Sequence, residues 1–238
     1  MATLSFLYRK EYSVNDRIHV VIPTVGDILE DEDAYYGMVT AFTAMPIDLM
    51  VQLDDLGIDF TELTDYDVFL LLFNGIRESD SSLIFRDLNL SDYTIAQNPE
   101  TGDMFLRNSI DGYIIDRAMY TQISAVLRKM HHIEKNRRKP ANEDARKYML
   151  ERAREKQKRN KKRKTDSQIE SLIVAMVNAP EFKYDYEGAK ELTIYQFNES
   201  VRQIIKRVDY NNRMFGVYSG TINAKEMSQD DLNWLVHK

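Results

Sequence analysis

From Ile18 to Ile76 the chain carries no Lys or Arg and 12 Asp and Glu, whereas Arg128 to Lys164 holds 17 basic and 5 acidic residues. With an overall charge of −6, a middle segment at +12 stands against −18 in the rest. A chain this polarised either folds its two blocks together or presents them to partners. The acidic front, Asp27 to Asp67, is therefore the nearest countercharge for the basic segment, in the same chain or in a neighbouring copy.

The basic block is densest over Glu134–Lys164, EKNRRKPANEDARKYMLERAREKQKRNKKRK. Glu143 with Lys147 and Glu151 with Arg154 are spaced to pair on a helix. Ala145, Tyr148 and Met149 give only a thin apolar line. The pattern predicts a long, charged, solvent-exposed helix over 134–164 that projects from the body. Three readings of it stand: a solvated helix, a protein-binding surface, and a nucleic-acid grip. Its charge suits phosphate, but Tyr148 is its one aromatic residue, and single-strand binders interleave aromatics with their cations.

Apolar residues make up 43% of the 238, enough for a substantial core. The absence of cysteine excludes a disulfide framework and thiol chemistry and fits a reducing compartment. The longest apolar run, Val68–Phe73, falls far short of the ~18 residues a membrane span needs. These features predict a soluble protein acting inside a cell.

The expected fold class is α+β: mainly helical, with a small antiparallel sheet or hairpin in the N-terminal half. Residues 1–115 form an acidic α+β region and 116–238 a helical region that contains the basic helix. Leu4–Tyr8 and Arg17–Pro23 read as strands. Helices are expected over Asp31–Met45, over Pro46–Gly57 with Pro at the start and Gly at the end, and over Thr64–Ile76, where Thr64 and Asp67 have capping-box spacing. Ser81–Leu88, Tyr93–Asn108 and Asp111–Arg117 are short β-rich pieces, with a turn at Asn98–Gly102. Ile115, Met119, Ile123, Val126, Leu127 and Met130 share a helical face. Ser167 with Glu170 caps a helix ending at Pro180. Thr193 with Gln196 caps another, striped by Ile194, Phe197, Val201, Ile204, Ile205 and Val208. Ser228 with Asp231 predicts a last short helix holding Trp234.

No catalytic constellation emerges. Glycine-rich phosphate loops are missing. His131 and Glu134 have a spacing found in metal sites, but two ligands fall short of the usual three or four. The acids at 31–33, 54–55 and 65–67 read as capping and first-turn residues. No enzyme activity, cofactor or metal is expected.

Several segments resemble a family of proteins from tailed phages and prophages of Gram-positive bacteria. They are IPTVGDILEDEDAYY, MPIDLMVQLDDLGIDFTELTDYDVFLLLF, SLIFRDLNLSDY, IDRAMYTQISAVLRKMHHIEKN, TIYQFNESVRQII and above all GVYSGTINAKEMSQDDLNWLVHK. The family is similar to tail assembly chaperones. The resemblance implies a non-enzymatic protein of the host cytoplasm that binds the tape measure protein, or another phage tail protein, during tail morphogenesis, and it is compatible with a homo-oligomer. Two alternatives remain: a structural component of the virion, in neck, baseplate or tail, and a nucleic-acid-binding regulator using residues 137–164. No membrane contact is expected. The expected partner-binding residues are Arg137, Arg138, Lys139, Lys158, Arg159, Lys161, Lys162, Arg163 and Lys164 on the basic side, and Asp54, Asp55, Asp65 and Asp67 on the acidic side.

Overall fold

The computed structural model describes residues 5–160, 167–228 and 231–235. Among them the chain forms nine α-helices and two small antiparallel sheets, the α+β class expected. Strand β1 (Glu11–Ser13) pairs with β2 (His19–Val21), Glu11 opposite Val21. Asn15 closes their connection, its side-chain oxygen accepting from the Arg17 and Ile18 amides. The second sheet has the order β3 (Tyr93–Gln97), β4 (Met104–Asn108), β5 (Ile114–Ile115). The β3–β4 hairpin turns at Asn98–Gly102, where Gly102 takes φ +76°, a conformation that suits glycine.

Most of the helix starts carry side-chain caps. At α1 (Val25–Glu30), Thr24 and Asp27 cap each other's backbone amides. Asp31 then closes α1 and caps α2 (Glu32–Thr43). Pro46–Leu49 is a 3-10 turn leading into α3 (Met50–Asp55), after which Gly57 takes φ +75°. Thr64 and Asp67 form the expected capping box of α4 (Asp65–Ile76). Helix α5 (Arg117–His131) ends in His132, a left-handed residue at φ 54°. Then come α6 (Glu143–Asn160), α7 (Gln168–Val177), α8 (Tyr186–Glu191) and α9 (Ile194–Tyr218).

The main core is aromatic at its centre. Phe42 of α2, Phe69 of α4 and Tyr120 of α5 meet with ring centroids 4.6 Å (Phe42–Phe69) and 4.9 Å (Phe69–Tyr120) apart. The buried Tyr120 hydroxyl donates to the Asp65 carbonyl at 3.1 Å, so its polar end is not stranded. This core runs from Phe6 to Phe197 and draws on residues from both sides of position 115. A smaller cluster, Ile47, Leu53, Phe60 and Leu150, lies beside it.

Four expectations are corrected. Of Leu4–Tyr8, residues 5–8 are coil and turn rather than strand, and Leu4 lies outside the described residues. Phe6 works as a single anchor, edge-on to Tyr12 and Tyr195. Ser81–Leu88 is a loop closed by Ser81 Oγ on the Leu88 carbonyl, pairing with β2 at an isolated Val20–Phe85 bridge. The basic helix begins at Glu143 rather than at 134. Pro140 is poorly placed inside a helix, and the Asn142 side chain caps the Ala145 amide. Ser228 and Asp231 do make reciprocal capping bonds, but residues 231–235 are turns and not a helix.

Candidate partner-binding site

Helix α6 is long, charged and largely solvent-facing, and it is anchored along one line. Arg146, Leu150 and Arg154 recur at helical spacing on the face that meets α3. Leu150 is buried against the cluster of Leu53 and Phe60. On one side of it Arg146 lies 3.5 Å from both Asp54 and Asp59. On the other, Arg154 lies 3.0 Å from Asp54 and also contacts Asp55. Paired carboxylates and guanidiniums flanking one apolar contact fix the register of α6 on α3.

The other two expected acids are also engaged within the chain. Asp65 pairs with Lys135 at 2.7 Å. Burial alone would raise the Asp65 carboxyl, but the Lys135 ammonium and the nearby Arg128 outweigh it, and the net effect holds Asp65 below the ordinary carboxylate range. Asp67 caps α4 and has Arg117 at 3.8 Å. Asp54, Asp55 and Asp65 are therefore internal countercharges of the basic segment, which meets them through Arg146, Arg154 and Lys135, whereas Asp67 meets Arg117 outside that segment.

The expected cations are placed differently. Arg137, Arg138 and Lys139 lie on the exposed coil between α5 and α6 and line a groove whose far wall is Met45–Ile47, Phe60, Thr61 and Leu63–Asp65. Lys158 and Arg159 are exposed near the end of α6. Among the described residues none of these five side chains forms an ion pair. Lys161, Lys162, Arg163 and Lys164 lie outside the described residues.

His131 is committed to the core. Its Nε2 and the Tyr35 hydroxyl are 2.8 Å apart, and its ring packs beside Tyr35 and Tyr36. Burial, aided by the adjacent His132, lowers its pKa from 6.5 to about 4, which keeps it neutral at pH 7. His132 turns the other way, to Glu199 of α9 at 3.4 Å. Glu134 sits in exposed coil. Among the described residues no group of three or more His, Asp or Glu side chains could hold a metal ion, and no helix is long and apolar enough to cross a membrane.

Helix α9 carries an apolar stripe that the body covers only in part. Ile194, Phe197, Val201, Ile204, Val208, Phe215 and Tyr218 fall on an alternating three–four repeat, broken at Asn211. The body fills the start of this seam, with Phe197 0% exposed. Farther along, Val208 is 41%, Phe215 75% and Tyr218 83% exposed. The chain then returns beside α9: Ile222 packs on Gly216, Asp231 pairs with Arg213 at 2.6 Å, and Trp234 is half-buried with the Arg207 guanidinium 5.7 Å from its ring. The sequence reading stopped the stripe at Val208; its continuation was legible in the same spacing.

Residues 158–237 match the model of a family described as the YomV second domain. YomV is a phage-encoded protein family, so this part of the chain, from the end of α6 through α9 and the returning segment, is similar to phage proteins. No curated protein matches the chain, and no solved structure does.

Proposed function

We propose that the protein is a non-enzymatic assembly factor of a tailed phage that captures a helical segment of the tape measure protein, or of another tail protein, during tail morphogenesis. The observation that carries this reading is the open outer half of the α9 seam. An apolar repeat of alternating three and four residues is the pattern that packs against another helix. Here it begins inside the fold, against α5, and runs on into solvent at Val208, Phe215 and Tyr218. Exposed apolar surface of this kind marks an interaction site, and helix-in-groove capture suits an elongated helical partner. The similarity of 158–237 to a phage-encoded family supports the setting, since α9 lies within the matched residues.

The test is co-expression of the full chain with the tape measure protein of the same phage, followed by co-purification. The expected result is a complex that is lost in Val208→Glu/Phe215→Glu while the circular dichroism spectrum of the free chain is unchanged. Absence of the protein from purified virions separates an assembly factor from a structural component. A complex that survives the double substitution would overturn the assignment of the seam.

A further inference from the structure

The coil between α5 and α6 forms one wall of a groove of about 290 Å³. The opposite wall is mixed, its apolar part supplied by Met45, Ile47, Phe60 and Leu63 beside the hydroxyls of Thr61 and Thr64. The groove is lined by Lys135, Arg137, Arg138 and Lys139, and by a single acid, Asp65. Lys135 and Asp65 neutralise each other at 2.7 Å. The remaining three cations have no ion pair among the described residues, although the same segment supplies Arg146 and Arg154 to the acids of α3. The wall is also held in place. Ile133 donates its amide to the Arg128 carbonyl at 2.9 Å, Lys135 is tied to Asp65 in the middle, and Asn142 caps α6 at the far end.

We infer that this groove is a docking site for an acidic peptide segment of a partner protein, one bulky apolar side chain entering the cavity while flanking carboxylates meet Arg137, Arg138 and Lys139. Charge complementarity selects the occupant: three unpaired cations beside a partly apolar cavity match a segment that carries both carboxylates and an apolar anchor. The volume lies at the small end of ligand sites, which run from about 300 to 1,000 Å³, so it suits one side chain rather than a larger organic ligand. Guanidiniums bind carboxylates in a two-pronged geometry that a lysine-only rim would lack. A nucleic-acid strand would use the cations but not the cavity, and the one aromatic lining residue, Phe60, is buried and unavailable to stack a base. The site is separate from the α9 seam and stands independently of it.

The test is calorimetric titration of the full chain with a short synthetic peptide of Asp and Glu around one central Phe. The expected result is saturable binding. It weakens by about tenfold or more in Arg137→Glu/Arg138→Glu/Lys139→Glu, and to a similar degree when the Phe of the peptide is replaced by Ser, because both the charge and the anchor contribute. Val208→Glu/Phe215→Glu should bind the peptide as the parent chain does, which separates this site from the seam. The three cations lie on exposed coil, so an unchanged circular dichroism spectrum confirms that the charge-reversed chain is folded. Absence of binding at about 1 mM peptide, or affinity indifferent to the Phe or to the charge reversal, overturns the inference. So does tighter binding of duplex DNA than of peptide, lost on the same charge reversal.

Discussion

Arg154 of α6 lies 3.0 Å from Asp54 of α3, a hundred positions earlier in the chain. This contact, with Arg146 on Asp54 and Asp59, joins the basic middle to the acidic front inside one molecule. Half-exposed ion pairs of this kind set register more than they stabilise, since water screens them. The apolar contact between them is the stronger element. Leu150→Ala should destabilise the docking of α6 by about 2 kcal/mol, the low end for a buried leucine because its cluster is small. Hydrogen exchange should show amides of 143–160 losing protection while α2, α4 and α5 keep theirs. Arg154→Ala should produce a smaller loss that shrinks further in salt. Uniform loss of protection across the chain would show instead that α6 unfolds only with the main core.

The Tyr35–His131 pair gives stability a pH dependence. His131 titrates near 4 in the fold and near 6.5 when unfolded. Between these values the unfolded chain takes up a proton that the folded chain refuses. The contribution is therefore present in full above about pH 6.5 and is lost as pH falls towards 4, to a total of up to about 3 kcal/mol. Urea titrations at pH 7 and pH 5 should show this loss. In His131→Gln, stability should vary less between those two values than in the parent chain. An equal variation in both would assign the effect to other groups, including the partly buried His132, whose pKa burial also lowers.

The caps of α4, α7 and α9 could be read directly, because Ser, Thr and Asp at helix starts act through bonds two or three residues away. The β3–β4 hairpin was legible for the same reason: its turn is local. What could not be read was long-range. Phe6 looks like part of a strand because it sits in an alternating run, yet its partners are Tyr12 and Tyr195. Charge totals pointed to an encounter between the two blocks, but not to its members. The run of exposed cations at 137–139 and 158–159 drew attention, while Arg146 and Arg154 make the contacts because Leu150 turns their face inward. The groove beside Arg137 was hidden for a further reason: its walls come from three separated stretches of chain.

Arg128 is buried and forms no ion pair among the described residues, although the Asp65 and Asp48 carboxylates lie near enough to favour its charge. Its guanidinium donates to Ser124 Oγ at 3.2 Å and to the carbonyl of Thr43, the last residue of α2. It thereby satisfies an orphan carbonyl at a helix C-terminus, where positive charge is favourable. Its Nη1 has no partner, and burial lowers its pKa. Arg128→Met keeps most of the stem packing but strands the Thr43 carbonyl. The expected loss is about 1–3 kcal/mol in urea unfolding, the range for a buried group left unpaired. A neutral or stabilising result would mean that removing the buried charge offsets the lost cap.

At Gly216 the returning chain packs tightly against α9. A Cβ there would sit 2.6 Å from Ile222 Cδ1 and 2.9 Å from its Cγ1. Ile222 is partly exposed and can swing outward, so Gly216→Ala should leave α9 intact and even favour it, as alanine is the better helix former by about 1 kcal/mol. The displaced element is the returning segment. Trp234, half-buried beside Arg207, reports on it as the only tryptophan of the chain. In Gly216→Ala its emission should shift to the red and its acrylamide quenching should rise, with helical circular dichroism unchanged or slightly stronger. Arg207→Ala should produce the same optical change by removing the cation from the ring face. If Gly216→Ala left the Trp234 spectrum unchanged, the segment would be held by Arg213 and Asp231 rather than by the close approach at Gly216.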